Sequence, residues 1–161
     1  MRMPAVKGGF FAKKTYLCTH MRVRVRVSTK SNDKTDKMKR VIATPDAPKA
    51  VGPYSQAIEV NGTLYISGQI PVNPADGKVQ EDIVAAAHQS LKNIGAILKE
   101  AGMTYDNVVK TTVLLADIAD FKAVNEVYAE YFTGDKPARA CYQAAALPLG
   151  VKVEIEAIAV K

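Results

Sequence analysis

At 161 residues, 48% hydrophobic and 24% charged, the chain has the size of one domain and the apolar content for a real core, which excludes wholesale disorder. No run of about 18 apolar residues occurs, so no membrane-spanning helix is expected, and two cysteines, Cys18 and Cys141, are too few for a disulfide framework or a four-cysteine zinc site. The net charge of +6 divides unevenly: residues 1–40 hold 12 Lys and Arg against Asp33 and Asp36, a balance of +10, and residues 41–161 hold 10 against 14 acids, a balance of −4.

Residues 1–37 read as a leader. They interleave Lys and Arg with Thr15, Thr19, Ser28, Thr29, Ser31 and Thr35, carry two acids, and keep no sustained period, which is the profile of an organelle transit peptide for a matrix or stroma, mitochondrial or plastid. A secretory signal does not fit, because no apolar stretch of about 7–15 residues follows Arg2. Within the leader, Val23-Arg24-Val25-Arg26-Val27 alternates like a short basic strand. Two other readings stay open: translation from Met21 or Met38, which would leave a cytoplasmic protein, and a basic arm that binds nucleic acid.

The body, residues 38–161, alternates strands and helices. Asn61-Gly62 between Ala57–Val60 and Leu64–Ser67 predicts a type I′ hairpin. The segment from Gln69 to Gly77, with Pro71, Pro74 and Gly77, predicts a loop. Ile83, Ala87, Leu91, Ile94 and Leu98 recur at helical steps, so residues 81–101 form an amphipathic helix stopped by Gly102. Val108–Leu115 predicts a strand buried on most of its surface. A second helix, capped by Asp117 or Asp120 and ending at Gly134, shows Phe121, Val124, Tyr128, Tyr131 and Phe132 on one face. Ala138–Ala144 is a strand, Leu147–Gly150 a turn, and Val151–Val160 a strand with Val151, Val153, Ile155, Ala157 and Ala159 on one face. The order β-β-α-β-α-β-β fits an α+β layer with two helices on one face of a mixed sheet, whose other face meets solvent, another subunit or a ligand.

Several chemistries are disfavoured. His20 lies in the leader and His88 in a helix, where it reads as a surface or interface residue. Neither a phosphate-binding loop nor a dinucleotide fingerprint occurs, and a body charge of −4 is poor for holding nucleic acid. Arg139 stands out within Pro137–Tyr142. If that strand is buried, its guanidinium needs an anionic partner, either a protein carboxylate or a ligand carboxylate. Glu154 and Glu156, on one face of the last strand and about 6.6 Å apart, are candidates for that partner, for acid–base work, or for a solvated face.

The blocks Gly52-Pro53-Tyr54-Ser55-Gln56-Ala57, Ser67-Gly68-Gln69-Ile70-Pro71, Val109-Lys110-Thr111-Thr112-Val113, Asp120-Phe121 to Val124-Asn125, Pro137-Ala138-Arg139 and Val153-Glu154-Ile155-Glu156-Ala157, in this order from Val41 to Lys161, resemble the Rid (YjgF) family of reactive-intermediate deaminases. The resemblance implies a chorismate-mutase-like fold with a mixed six-stranded sheet, a homotrimer with active sites in clefts between subunits, and no metal or cofactor. It implies hydrolysis of 2-imino acids such as 2-iminobutanoate and 2-iminopropanoate, or their enamine tautomers, to 2-oxo acids and ammonia. Such imines are released by pyridoxal-phosphate enzymes. Position by position, Arg139 matches the substrate-binding arginine, Cys141 a residue acting through its main chain, and Glu154 the residue orienting water. Tyr54, Ser67, Gly68 and Asn125 match the substrate-binding lining, and Glu156 reads as a structural or interface carboxylate. A small-carboxylate-binding trimer without turnover and a ribonuclease or translation inhibitor are the alternatives. The segment from Ala140 to Leu149 is more like the eukaryotic organellar branch, which leaves the preferred imino acid open.

Overall fold

The computed structural model describes residues 39–161; the leader expected over residues 1–37 and the basic alternation within it lie outside the described residues. Six strands form one mixed sheet: β1 (Arg40–Ile42), β2 (Ala57–Val60), β3 (Thr63–Gln69), β4 (Val108–Leu115), β5 (Ala138–Gln143) and β6 (Val153–Val160). Their spatial order is β1-β2-β3-β6-β4-β5. All neighbouring pairs are antiparallel except β4 and β5, which run parallel.

Local chemistry sets most boundaries where the sequence places them. Asn61 and Gly62 both adopt positive φ, 50° and 77°, as a type I′ turn requires. The first helix, α1 (Ile83–Glu100), starts where the Asp82 carboxylate accepts from the Ala85 amide at 2.9 Å, and Gly102 ends it at φ 71°. Asp117 caps a single 3₁₀ turn, Ile118–Asp120, which leads into α2 (Phe121–Tyr131); Asp120 makes no side-chain capping bond. The second helix ends at Tyr131, short of the expected Gly134. Phe132 leaves the helical path and packs edge-on against Tyr105, ring centroids 5.5 Å apart, while its carbonyl accepts from Lys136. The three-residue β1 was not separately legible, being too short to show a period.

Side chains alternate across the sheet, and α1 packs on β3 and β6 beside α2. Leu64, Ile66, Val113, Leu115, Val153, Ile155, Ala157 and Ala159 from the strands meet Ala87, Leu91, Ile94 and Leu98 of α1 and Val124, Val127 and Tyr128 of α2, all buried. Each large side chain there contributes about 1.5–3 kcal/mol by leaving water. Among the described residues the opposite sheet face carries no helix, and Tyr65 and Tyr142 on it are 49% and 53% exposed. That corrects the expectation for β4. It is buried only on its helix side, and a bulge between Val108 and Lys110 leaves Val109 47% exposed.

Candidate functional site

Arg139 sits on β5, the last strand of the sheet, and is exposed rather than buried. Among the described residues no strand pairs with the far edge of β5, so burial does not oblige the guanidinium to find a protein carboxylate. Among the described residues no salt bridge involves it. It lies instead over two aromatic rings of α2, its Cζ 4.7 Å from the Tyr128 centroid and 5.6 Å from that of Phe121. Asn125, half-buried, falls between those rings on the same stripe of α2. Cys141, two residues along β5, shares the helix side of the sheet, being in register with buried Val113. Burial pushes its thiol pKa up, and the nearby Arg139 charge offsets part of that, so at neutral pH the sulfur is a thiol and a poor nucleophile.

The carboxylates lie elsewhere. The register Arg139, Thr111, Ala157 across β5, β4 and β6 puts Arg139 on the helix side, whereas Glu154 and Glu156 point to the uncovered face. Glu154 is in register with Leu114 and Tyr142. That is two strands across and three residues along from Arg139, a separation of about 14 Å from strand spacing and rise. Neither glutamate is therefore the partner of Arg139 within one chain, and the candidate pairing is corrected.

Glu154 belongs instead with Gly68. A Cβ built on Gly68 would collide with the Glu154 carboxylate, standing 2.7 Å from its Cδ and 3.0 Å from its Cγ. Glycine is thus what lets the acid lie against the strand. A bulge between Ile66 and Gln69 in the β3–β6 pairing opens the backbone at the same place. Burial raises the pKa of Glu154 above the usual carboxylate value, and the charge of Glu156 raises it further.

Ser67 and Tyr54 are tied to this second group. The Ser67 hydroxyl donates to the Ser55 carbonyl at 2.7 Å, and its amide donates to the Gln56 carbonyl at 3.0 Å. Tyr54, 49% exposed, closes a tight turn in which its amide donates to Gly52 and its hydroxyl accepts from Val51. The candidate residues therefore fall into two sets: Arg139, Asn125 and Cys141 at the β5–α2 edge, and Tyr54, Ser67, Gly68 and Glu154 around the bulge.

Three contributors carried no local signal. Phe121 and Tyr128 read as apolar-face residues, though their spacing with Asn125 marks one helical stripe. Gln56, 5% exposed, accepts from the Thr44 amide at 2.7 Å and shares its two Nε2 hydrogens among the carbonyls of Thr44, Ala47 and Pro48, 2.8–3.1 Å away, pinning the segment before Tyr54. His88, read as a surface or interface residue, is half-buried, its Nδ1 3.0 Å from the Tyr131 hydroxyl between the two helices. A cavity of about 370 Å³ beside it, lined by Gln80, Ala85, Gln89 and Lys92, holds no candidate residue. Among the described residues no group of three or more His, Cys, Asp or Glu is arranged to hold a metal.

A family model described as endoribonuclease L-PSP matches residues 44–161. A 2-iminobutanoate/2-iminopropanoate deaminase of Mus musculus is 58% identical over 125 residues, 77% of this chain and 93% of that protein. Reactive Intermediate Deaminase A, chloroplastic, of Arabidopsis thaliana is 54% identical over 122 residues, 75% of this chain and 65% of that protein. The crystal structure of Escherichia coli TdcF with bound serine superposes with a TM-score of 0.74 at 42% identity, covering 76% of this chain and 98% of that one.

Proposed function

The chain belongs to the endoribonuclease L-PSP family, the Rid or YjgF family, and on that basis we propose that it is a deaminase that hydrolyses small 2-imino acids and their enamine tautomers to 2-oxo acids and ammonia. The observation that carries the reading is Arg139, a guanidinium held over two rings with no salt bridge among the described residues. A planar fork of donors without a protein counter-ion suits one small carboxylate, gripped bidentately. The serine bound to TdcF is a small molecule that carries one carboxylate.

The chemistry needs a protonated imine, a positioned water and a proton carrier. Water adds to C2 of the iminium while the Glu154 carboxylate takes its proton. The resulting carbinolamine takes that proton on nitrogen; as the C2–N bond breaks, the remaining hydroxyl proton passes to the Glu154 carboxylate and on to the departing ammonia, leaving the 2-oxo acid and ammonium, so that atoms and charge balance. Burial and the Glu156 charge raise the pKa of Glu154 above the usual carboxylate value, which makes it a better proton acceptor than an ordinary carboxylate and so suits a group that accepts and returns a proton. The backbone of Cys141 positions substrate or water, and Tyr54, Ser67, Gly68 and Asn125 line the cleft.

Because Arg139 and Glu154 lie on opposite faces about 14 Å apart, one small substrate meets both only if two copies share the site. The homotrimer with clefts between subunits is the arrangement we propose, and the exposed Tyr65 and Tyr142 on the uncovered face support it. Residues 1–37 are proposed as a transit peptide for an organelle matrix or stroma, supported by the charge split and by the chloroplastic relative; sequencing the mature N-terminus tests it, and a cellular chain beginning at Met1 overturns it. The activity is tested by following ammonia and 2-oxo acid release from imines generated in situ. Arg139→Ala should lose nearly all of the enzymatic acceleration, and an unchanged rate would overturn the reading.

A further inference from the structure

An arginine on an exposed edge strand has four rotatable side-chain bonds and loses that freedom when it binds. The usual way to hold it ready is a carboxylate, but a carboxylate occupies the same in-plane N–H donors that a substrate needs. Here the guanidinium is held by rings instead. Its Cζ lies 4.7 Å from the Tyr128 centroid and 5.6 Å from that of Phe121, where the ring quadrupole attracts the face of the cation. The Tyr128 ring is itself fixed from two sides. Its hydroxyl lies 2.7 Å from Oγ1 of buried Thr111, the strand partner of Arg139, and its ring leans on Phe132 with centroids 4.3 Å apart.

We propose that Phe121 and Tyr128 are positioning residues, an aromatic cradle that orients the Arg139 guanidinium while leaving its charge and its in-plane donors free for the substrate carboxylate. Phe121 explains itself on this view: it is apolar yet 39% exposed at the start of α2, outside the core and under the arginine. The cradle lowers KM by preorganisation and leaves the proton-transfer step untouched. The proposal rests on Arg139 being the carboxylate-binding group.

Steady-state kinetics with imines generated in situ test it. Phe121→Leu should raise KM about three- to tenfold, with kcat within twofold of wild type, and Phe121→Tyr, which keeps a ring, should restore the wild-type KM. Tyr128→Leu should raise KM in the same sense; should that buried change prevent folding, Phe121→Leu carries the test. An unchanged KM in Phe121→Leu, or a loss confined to kcat, overturns the cradle while a defective Arg139→Ala leaves the underlying reading standing. Full activity in Arg139→Ala overturns both.

Discussion

Replacing Gly68 with alanine should silence the enzyme through Glu154 without unfolding it. The added Cβ would stand 2.7 Å from the Glu154 Cδ. Ordinary contact begins at 3.4 Å, so that carbon must retreat by about 0.7 Å and its nearer oxygen by more. The Gly68 backbone itself is not in the left-handed region, so the conflict is with one side chain only. The clash falls on the end of one flexible, half-buried side chain and not on backbone, which keeps the cost to folding near the low end of overpacking, about 1 kcal/mol. Catalysis tolerates less, because a misplacement of about 1 Å is worth on the order of a hundredfold in rate. Gly68→Ala should therefore lower kcat on the order of a hundredfold and shift the thermal midpoint by only a few degrees. A double-mutant cycle isolates the route: in a Glu154→Gln background, Gly68→Ala should cost little further. A wild-type kcat in Gly68→Ala, or the full loss repeated on top of Glu154→Gln, would refute the reasoning.

Glu156→Gln removes the like charge that adds to burial in raising the Glu154 pKa, so the acid limb of the pH–rate profile should move to lower pH. For stability the sign is that of a carboxyl raised on folding: wild type loses stability relative to Glu154→Gln as pH rises from the ordinary carboxylate range through the raised pKa, and thermal melts across that range check it. Gln56→Leu leaves the Thr44 amide and three carbonyls without their partner; urea unfolding should show a loss of about 2–4 kcal/mol. Cys141→Ala should keep kcat within about threefold, because the thiol is held protonated and only its main chain is used; a folded but inactive variant would restore the sulfur to the mechanism.

Arg139 shows where local reading stops. Its setting, Pro137-Ala138-Arg139-Ala140-Cys141-Tyr142, has the apolar content of an interior strand, and strands in parallel pairs are commonly buried. That β5, among the described residues, pairs with β4 alone and ends the sheet follows from the crossover through α2 and the insertion of β6 between β3 and β4. Neither event leaves a mark within six residues. The same holds for Glu154 and Glu156, whose shared face was legible from the alternation of β6 while its side relative to Arg139 required the register of three strands. Gly68 could be singled out as a place of close approach, but that the approaching group is Glu154 appeared only with the bulge.

By itself the sequence determined the hairpin at Asn61-Gly62, an amphipathic helix stopped at Gly102, the helix–strand order from β2 onward and the candidate residues. It also separated a basic N-terminal segment from an acidic body. These depend on neighbours within a turn or two: positive φ, orphan amides and the periods of helix and strand. The tertiary structure alone decided the strand order, the exposed edge that frees Arg139, the aromatic rings beneath it and the opposite-face placement of Glu154. Those depend on which distant segments pair and pack, a choice made by burial and hydrogen bonding across the whole sheet.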